Sequence, residues 1–222
     1  MIPSECWPNR RTFLKTSAAA AAGFSGLPVL AQPPDSDESP FVIGPKKGYS
    51  PEIGTLTSMM AFMRSQVLDS VKGMSQQDLD FLLDAKANRI GALLMHLAAV
   101  ENFYQLNTFE GVNPEKMPKE FKEKWGVPAD LGDPAREAIK GHSLDFYLNL
   151  LHETREKTLS EFRKRDDKWL ATVVKTWLPA AGHEWDWNNY CKWFHVTEHE
   201  ANHNGQIKFL KSRLPGAKPA AE

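Results

Sequence analysis

Four stretches of the chain repeat apolar residues at the three- and four-residue spacing of an amphipathic helix. In the first, Leu56, Met60, Met63, Val67, Val71 and Met74 share one face. Ser50-Pro51-Glu52 reads as its start: Ser50 as N-cap, Pro51 where a missing N–H costs nothing, and Glu52 at the positive end of the helix dipole. Gly73 marks its stop. In the second, Asn88 is the expected cap of a stripe through Ile90, Leu93, Leu94, Leu97, Val100 and Tyr104 that runs to Gly111. The third begins at Ser143 and carries Leu144, Leu148, Leu151, Leu159 and Phe162. The fourth runs from about Trp187 to Leu214, where Pro215-Gly216 ends it. Between the second and third, Pro114, Pro118, Gly126, Pro128, Gly132 and Pro134 punctuate a long connection, with room for a short helix over 119–125. Residues 169–178 read equally well as a short strand or a helical turn. Each stripe needs a partner to be buried. The pattern therefore predicts an all-α four-helix bundle over 49–216, with a long connection between helices two and three and a short tail at 217–222.

The ends of the chain follow other rules. Asn9-Arg10-Arg11-Thr12-Phe13-Leu14-Lys15 precedes a weakly apolar, Ala-rich run over 16–30, and Val29-Leu30-Ala31 offers small-residue cleavage. That is the pattern of a twin-arginine export signal, assigned to 1–31. The run is too short to span a bilayer comfortably, so no stable membrane insertion is expected once it is cleaved, and the destination is periplasmic or otherwise extracytoplasmic. Residues 32–48, rich in Pro, Ser and Asp, read as a flexible leader. The 222 residues include 27 Lys+Arg, 28 Asp+Glu and 41% hydrophobic residues, enough for one globular domain and unlike a disordered chain. Net charge is −1, and no stretch interleaves basic and aromatic residues, which argues against a nucleic-acid partner. Cys6 leaves with the signal, so Cys191 has no intrachain partner and stability must come from packing or a metal.

The fourth helix holds the informative chemistry. His195, His199 and His203 drift only about 40° per step and lie on one face, and imidazoles at i and i+4 can share one ion. One helix supplies two such ligands comfortably, so a third is expected from elsewhere. His96, within one turn of Leu93, Leu97 and Val100, points into the bundle from the second helix. A lone histidine on an apolar face is commonly a hydrogen-bonded core residue. A pair on a core-facing stripe buries two polar rings that something must satisfy. Three histidines with an open fourth position match catalytic zinc sites and their relatives.

Two other readings share these residues. His199-Glu200-Ala201-Asn202-His203 spells the H-E-x-x-H of zinc peptidases, but no histidine follows His203 to complete such a site. Glu200-Ala201-Asn202-His203 is a single Glu-x-x-His, where di-iron bundles need two. His195, Gln206 and Glu101 are candidates to orient an imidazole or bound water from just outside the ligand set. Arg155 falls in line with Leu148, Leu151 and Phe162 and is expected to snorkel to the surface, with an anionic substrate as the other reading. Cys191 is too far along the helix to be a ligand and reads as a buried small hydrophobe. Trp185, Trp187 and Trp193 fit a pocket mouth or aromatic packing equally.

The segment from Ala87 to Glu101, centred on Leu93-Leu94-Met95-His96-Leu97, followed by His195-Val196-Thr197-Glu198-His199-Glu200-Ala201-Asn202-His203-Asn204-Gly205-Gln206-Ile207, resembles the DinB-like (DinB/YfiT) superfamily. The resemblance spans about 49–216. It implies a four-helix bundle holding a divalent cation, such as zinc, nickel or iron, through His96, His199 and His203, and often a homodimer. It further implies a metal that activates a small-molecule thiol, as in thiol S-transferases and a thiol-dependent isomerase. Hydrolysis at the same open position is the other enzymatic reading, because an exported chain leaves the reducing pools where such thiols accumulate. A non-catalytic metal- or ligand-binding protein is the alternative to both, since no acid or base stands out beyond Glu200.

Overall fold

A computed structural model describes residues 39–178 and 183–218. The export signal with Cys6, the first part of the leader and the last four residues of the tail lie outside the described residues. Those described are mainly helical. In chain order they form α1 (Pro51–Val71), α2 (Gln76–Asp80), α3 (Ile90–Phe109), a 3-10 turn (Pro114–Lys116), α4 (Lys119–Asp130), α5 (Gly132–Ala138), α6 (Leu144–Phe162), α7 (Asp167–Ala171), β1 (Val173–Leu178), β2 (His183–Asn188) and α8 (Asn189–Lys211). None of these helices is long and apolar enough to cross a membrane.

The four long helices are those the stripes predict. α1 packs on α8, α8 on α3 and α3 on α6, while α1 and α6 touch only lightly and leave a groove. One of the expected caps forms, Ser143 Oγ accepting the Phe146 N–H, and α8 gains a cap the sequence reading did not name, Asn188 Oδ1 accepting the Cys191 N–H at 2.8 Å. Two others do not. Ser50 stands at the N-cap position of α1, but its hydroxyl is donated to Asp167 Oδ1. That carboxylate, at the start of α7, accepts the N–H groups of Glu52 and Ile53 at 3.1 and 3.2 Å. A residue over a hundred positions away thus satisfies donors that the local sequence assigns to serine. Asn88 is no cap either: α3 begins at Ile90 with Arg89 at the N-cap position and no side-chain bond.

The long connection is more helical than its prolines suggest. α4 runs through Pro128 and lays Phe121 and Trp125 against α3, which is why α3 is buried on nearly all sides rather than on one stripe. The Leu131-Gly132 joint between α4 and α5 is tight, with Leu131 at φ 56° where glycine is favoured. Residues 169–178 divide between both readings. α7 ends at Ala171, and β1 then pairs antiparallel with β2, Val173 opposite Asn188 and Leu178 opposite His183. Because β2 takes Trp187, α8 begins two residues later than expected.

Aromatic residues divide by position. Trp193 is fully buried and stacks on Phe109 at 5.1 Å between centroids, whereas Trp185 on β2 is exposed. Cys191 is also exposed, contrary to the expected burial, because Lys192 and Trp193 take the inward side of the first turn of α8. At the leader's end, the Gly44 N–H donates to Ser58 Oγ at 3.0 Å. A β-carbon on Gly54 would collide with the Lys46 backbone, so this stretch rests on α1.

Candidate metal centre

The three predicted histidines meet. α3 carries His96 and α8 carries His199 and His203, and their ligand nitrogens lie within 4.8 Å of one another. His199 Nε2 stands 3.1 Å from His96 Nε2 and 3.0 Å from His203 Nε2. Those edges are close to the ~3.3 Å expected between nitrogens bound tetrahedrally to zinc at about 2.05 Å.

The outer nitrogens decide the proton positions. His96 Nδ1 lies 2.8 Å from the Pro128 carbonyl, which accepts only, so Nδ1 carries the proton and Nε2 presents a lone pair. The carbonyl is available because it belongs to the last turn of α4, where helix carbonyls lack an internal donor. His203 Nδ1 donates to Gln206 Oε1 at 3.1 Å, so its Nε2 likewise presents a lone pair. A neutral His199 can donate one proton at Nε2, to one neighbour only. The other contact is then lone pair against lone pair, an arrangement that a cation resolves. The donor set fits a divalent metal ion.

Burial keeps these rings neutral, the state that binds metal. It pushes His96 down to about 4 against a bond to Pro128, and, helped by the neighbouring imidazoles, His199 to about 3. It lowers His203 as well. An unfolded histidine titrates near 6.5, so between that pH and the folded values the unfolded chain binds more protons. Metal-free protein is therefore expected to lose stability as pH falls from 6.5 toward 4, by about 1.4 kcal/mol per pH unit for each histidine fully involved. Urea denaturation of chelator-treated protein at pH 7.5 and 5.0 checks this, and a His96→Gln/His199→Gln variant should flatten the difference. Equal slopes in both proteins would contradict it.

The other candidates separate. The half-exposed His195 has its ring 5.4 Å from that of His199, with Nδ1 3.1 Å from Tyr104 Oη. Glu101 does not reach the imidazoles. Together with Arg64, Arg155 and Glu200 it forms a buried quartet to which α1, α3, α6 and α8 each contribute one charge. Arg155 Nε donates to Glu101 Oε1 at 2.8 Å and its Nη2 to Glu200 Oε1 at 2.8 Å. Arg64 Nη2 donates to the same two carboxylates at 3.0 and 2.6 Å. Thr158 Oγ1 adds a bond to Glu101 Oε1 at 2.7 Å. Burial would raise Glu101, but the two guanidiniums and Thr158 hold it below the usual carboxylate range. Arg155 does not snorkel: it is 7% exposed, held inside by two carboxylates that repay its desolvation. Glu200, the base of the peptidase reading, is committed to both arginines. Its Oε2 is buried without a hydrogen bond among the described residues.

Sequence reasoning missed Arg64, Tyr104 and the Pro128 carbonyl. A signal for Arg64 was present, since it stands between Met60 and Val67 in the first apolar stripe. Nothing local announces Pro128, whose role is a backbone atom meeting a ring 32 positions away.

Comparison with known proteins adds two findings. A family model described as mycothiol-S-transferase matches residues 55–216. A twin-arginine translocation pathway signal sequence matches residues 8–25, marking the chain for export. Among curated proteins no match was found.

Proposed function

The chain belongs to the mycothiol-S-transferase family, within the DinB/YfiT-like superfamily, and we propose that it is an exported, metal-dependent enzyme acting on a small-molecule thiol. The light α1–α6 contact closes the ring of long helices that we read as the four-helix bundle holding the site. His96, His199 and His203 would hold zinc, nickel or iron through Nε2, and the bound cation would lower the pKa of the thiol so that it reacts as thiolate. The observation that carries this reading is the set of three converging Nε2 atoms, two of them stripped of protons by Pro128 and Gln206.

His195 is the proposed acceptor of the thiol proton, because it lies one turn from His199 and has no part in the ligand set. Glu200 is unsuited to that task while two guanidiniums share its carboxylate. The twin-arginine route carries folded proteins, so the metal is loaded before export and the site works in the periplasm or another extracytoplasmic space. A second copy of the chain is the expected protein partner.

The test uses mature protein without a polyhistidine tag, measured for metal content and for turnover of a low-molecular-weight thiol with an electrophilic acceptor. Stoichiometric divalent metal is expected, with turnover that stops on chelation and returns on metal addition. His195→Gln should keep the metal and lose turnover by about 10²–10⁴-fold. Chelator-insensitive turnover, or hydrolysis of esters or amides in place of thiol transfer, would overturn the reading.

A further inference from the structure

The histidines sit between α3 and α8. The opposite pair of long helices, α1 and α6, is the loosely packed one, and its groove opens into a cavity of about 400 Å³. Lys46, Lys47, Arg64, Arg155 and Arg163 line that cavity, and among the described residues no carboxylate does. Leu68, Leu159 and Ala61 supply an apolar strip along the same wall.

Exposed cations alone would be an ordinary solvated face. Arg64 and Arg155 are different, being only 8% and 7% exposed and fixed in place by Glu101 and Glu200. A guanidinium has five N–H donors. Arg64 uses one on Leu151 O and three on the two glutamates. Arg155 uses one on Met60 O and three on the same glutamates. Each therefore keeps one Nη1 N–H without an acceptor among the described residues, and both side chains form the cavity wall. At the mouth, Arg163 lies over the Tyr49 ring at 5.1 Å, which limits its freedom before any ligand arrives. Arg64 and Arg155 are neutralised by the two glutamates behind them. Lys47 and Arg163, which form no ion pair among the described residues, then add positive charge at the mouth.

We propose that this cavity is a second ligand site, separate from the histidines, for a small amphiphilic anion. A carboxylate or phosphate head accepts from the two spare guanidinium N–H groups and the cations at the mouth, and a short apolar tail lies along Leu68 and Leu159. Fixed arginines suit such a head because planar, pre-placed donors lose little freedom on binding.

Isothermal titration of the mature protein with octanoate, octyl phosphate and uncharged octyl glucoside tests this. Both anions are expected to bind at least about tenfold more tightly than the glucoside, with affinity falling as salt is raised. The exposed double variant Lys47→Glu/Arg163→Glu should weaken anion binding about tenfold or more at low salt while metal content stays unchanged. Tighter octanoate would identify a carboxylate head and tighter octyl phosphate a phosphate head. Equal binding of the glucoside, no heat with either anion, or an unaffected double variant would overturn the proposal. Metal content is read separately, so failure here leaves the histidine site standing.

Discussion

His199→Ala is expected to lose divalent-metal affinity by more than about 100-fold, beyond the ~10–100-fold that follows loss of an outer orienting group. His199 Nε2 is the nitrogen that stands 3.1 and 3.0 Å from the other two, so its removal takes away the central ligand and leaves only His96 and His203 to hold the ion. Gln206→Ala should fall in the milder class. It releases His203 Nδ1 without removing a ligand, and a loss of about tenfold is expected. Competition with a chromophoric chelator measures both. Equal metal content in His199→Ala and the parent would sink the three-histidine site.

Glu101→Gln is expected to destabilise the fold by about 3–5 kcal/mol, among the largest effects open to a single substitution. The carboxylate is fully buried and accepts from Arg64, Arg155 and Thr158, so the amide leaves two guanidiniums facing one remaining charge. Replacing all four charges with apolar residues of similar volume should instead cost little or even stabilise, because the desolvation of every member disappears together. Urea unfolding of the single and quadruple variants, with metal content as a second readout, separates the two cases. A loss below about 1 kcal/mol for Glu101→Gln would show that water reaches the quartet. The contrast with His199→Ala is direct. Adjacent positions on α8 serve different ends, His199 the candidate metal site and Glu200 the cohesion of the four long helices.

Much of this was legible along the chain. Periodicity places all four long helices, Ser143 caps α6, and the spacing of His199 and His203 puts both on one face. The charged quartet was half visible. Arg64, Glu101, Arg155 and Glu200 each stand in register with an apolar stripe, at positions where a charge needs a partner. Read singly, a long charged side chain at such a place is assigned to the surface, because its alkyl stem can lie on the core while its head reaches water. Only two charges of each sign brought from four helices make burial tolerable.

The local pattern alone determined helix positions, the export signal and which face of α3 and α8 carries histidine, since these depend on spacings of a few residues. Tertiary packing decided which atoms satisfy one another. Asp167 caps α1 from beyond α6, the α4 carbonyl of Pro128 sets the tautomer of His96, and β1 finds its partner in β2. Hydrogen bonds and ion pairs act over about 3 Å regardless of separation along the chain, so they are specified once the helices have docked, and no one-dimensional periodicity encodes them.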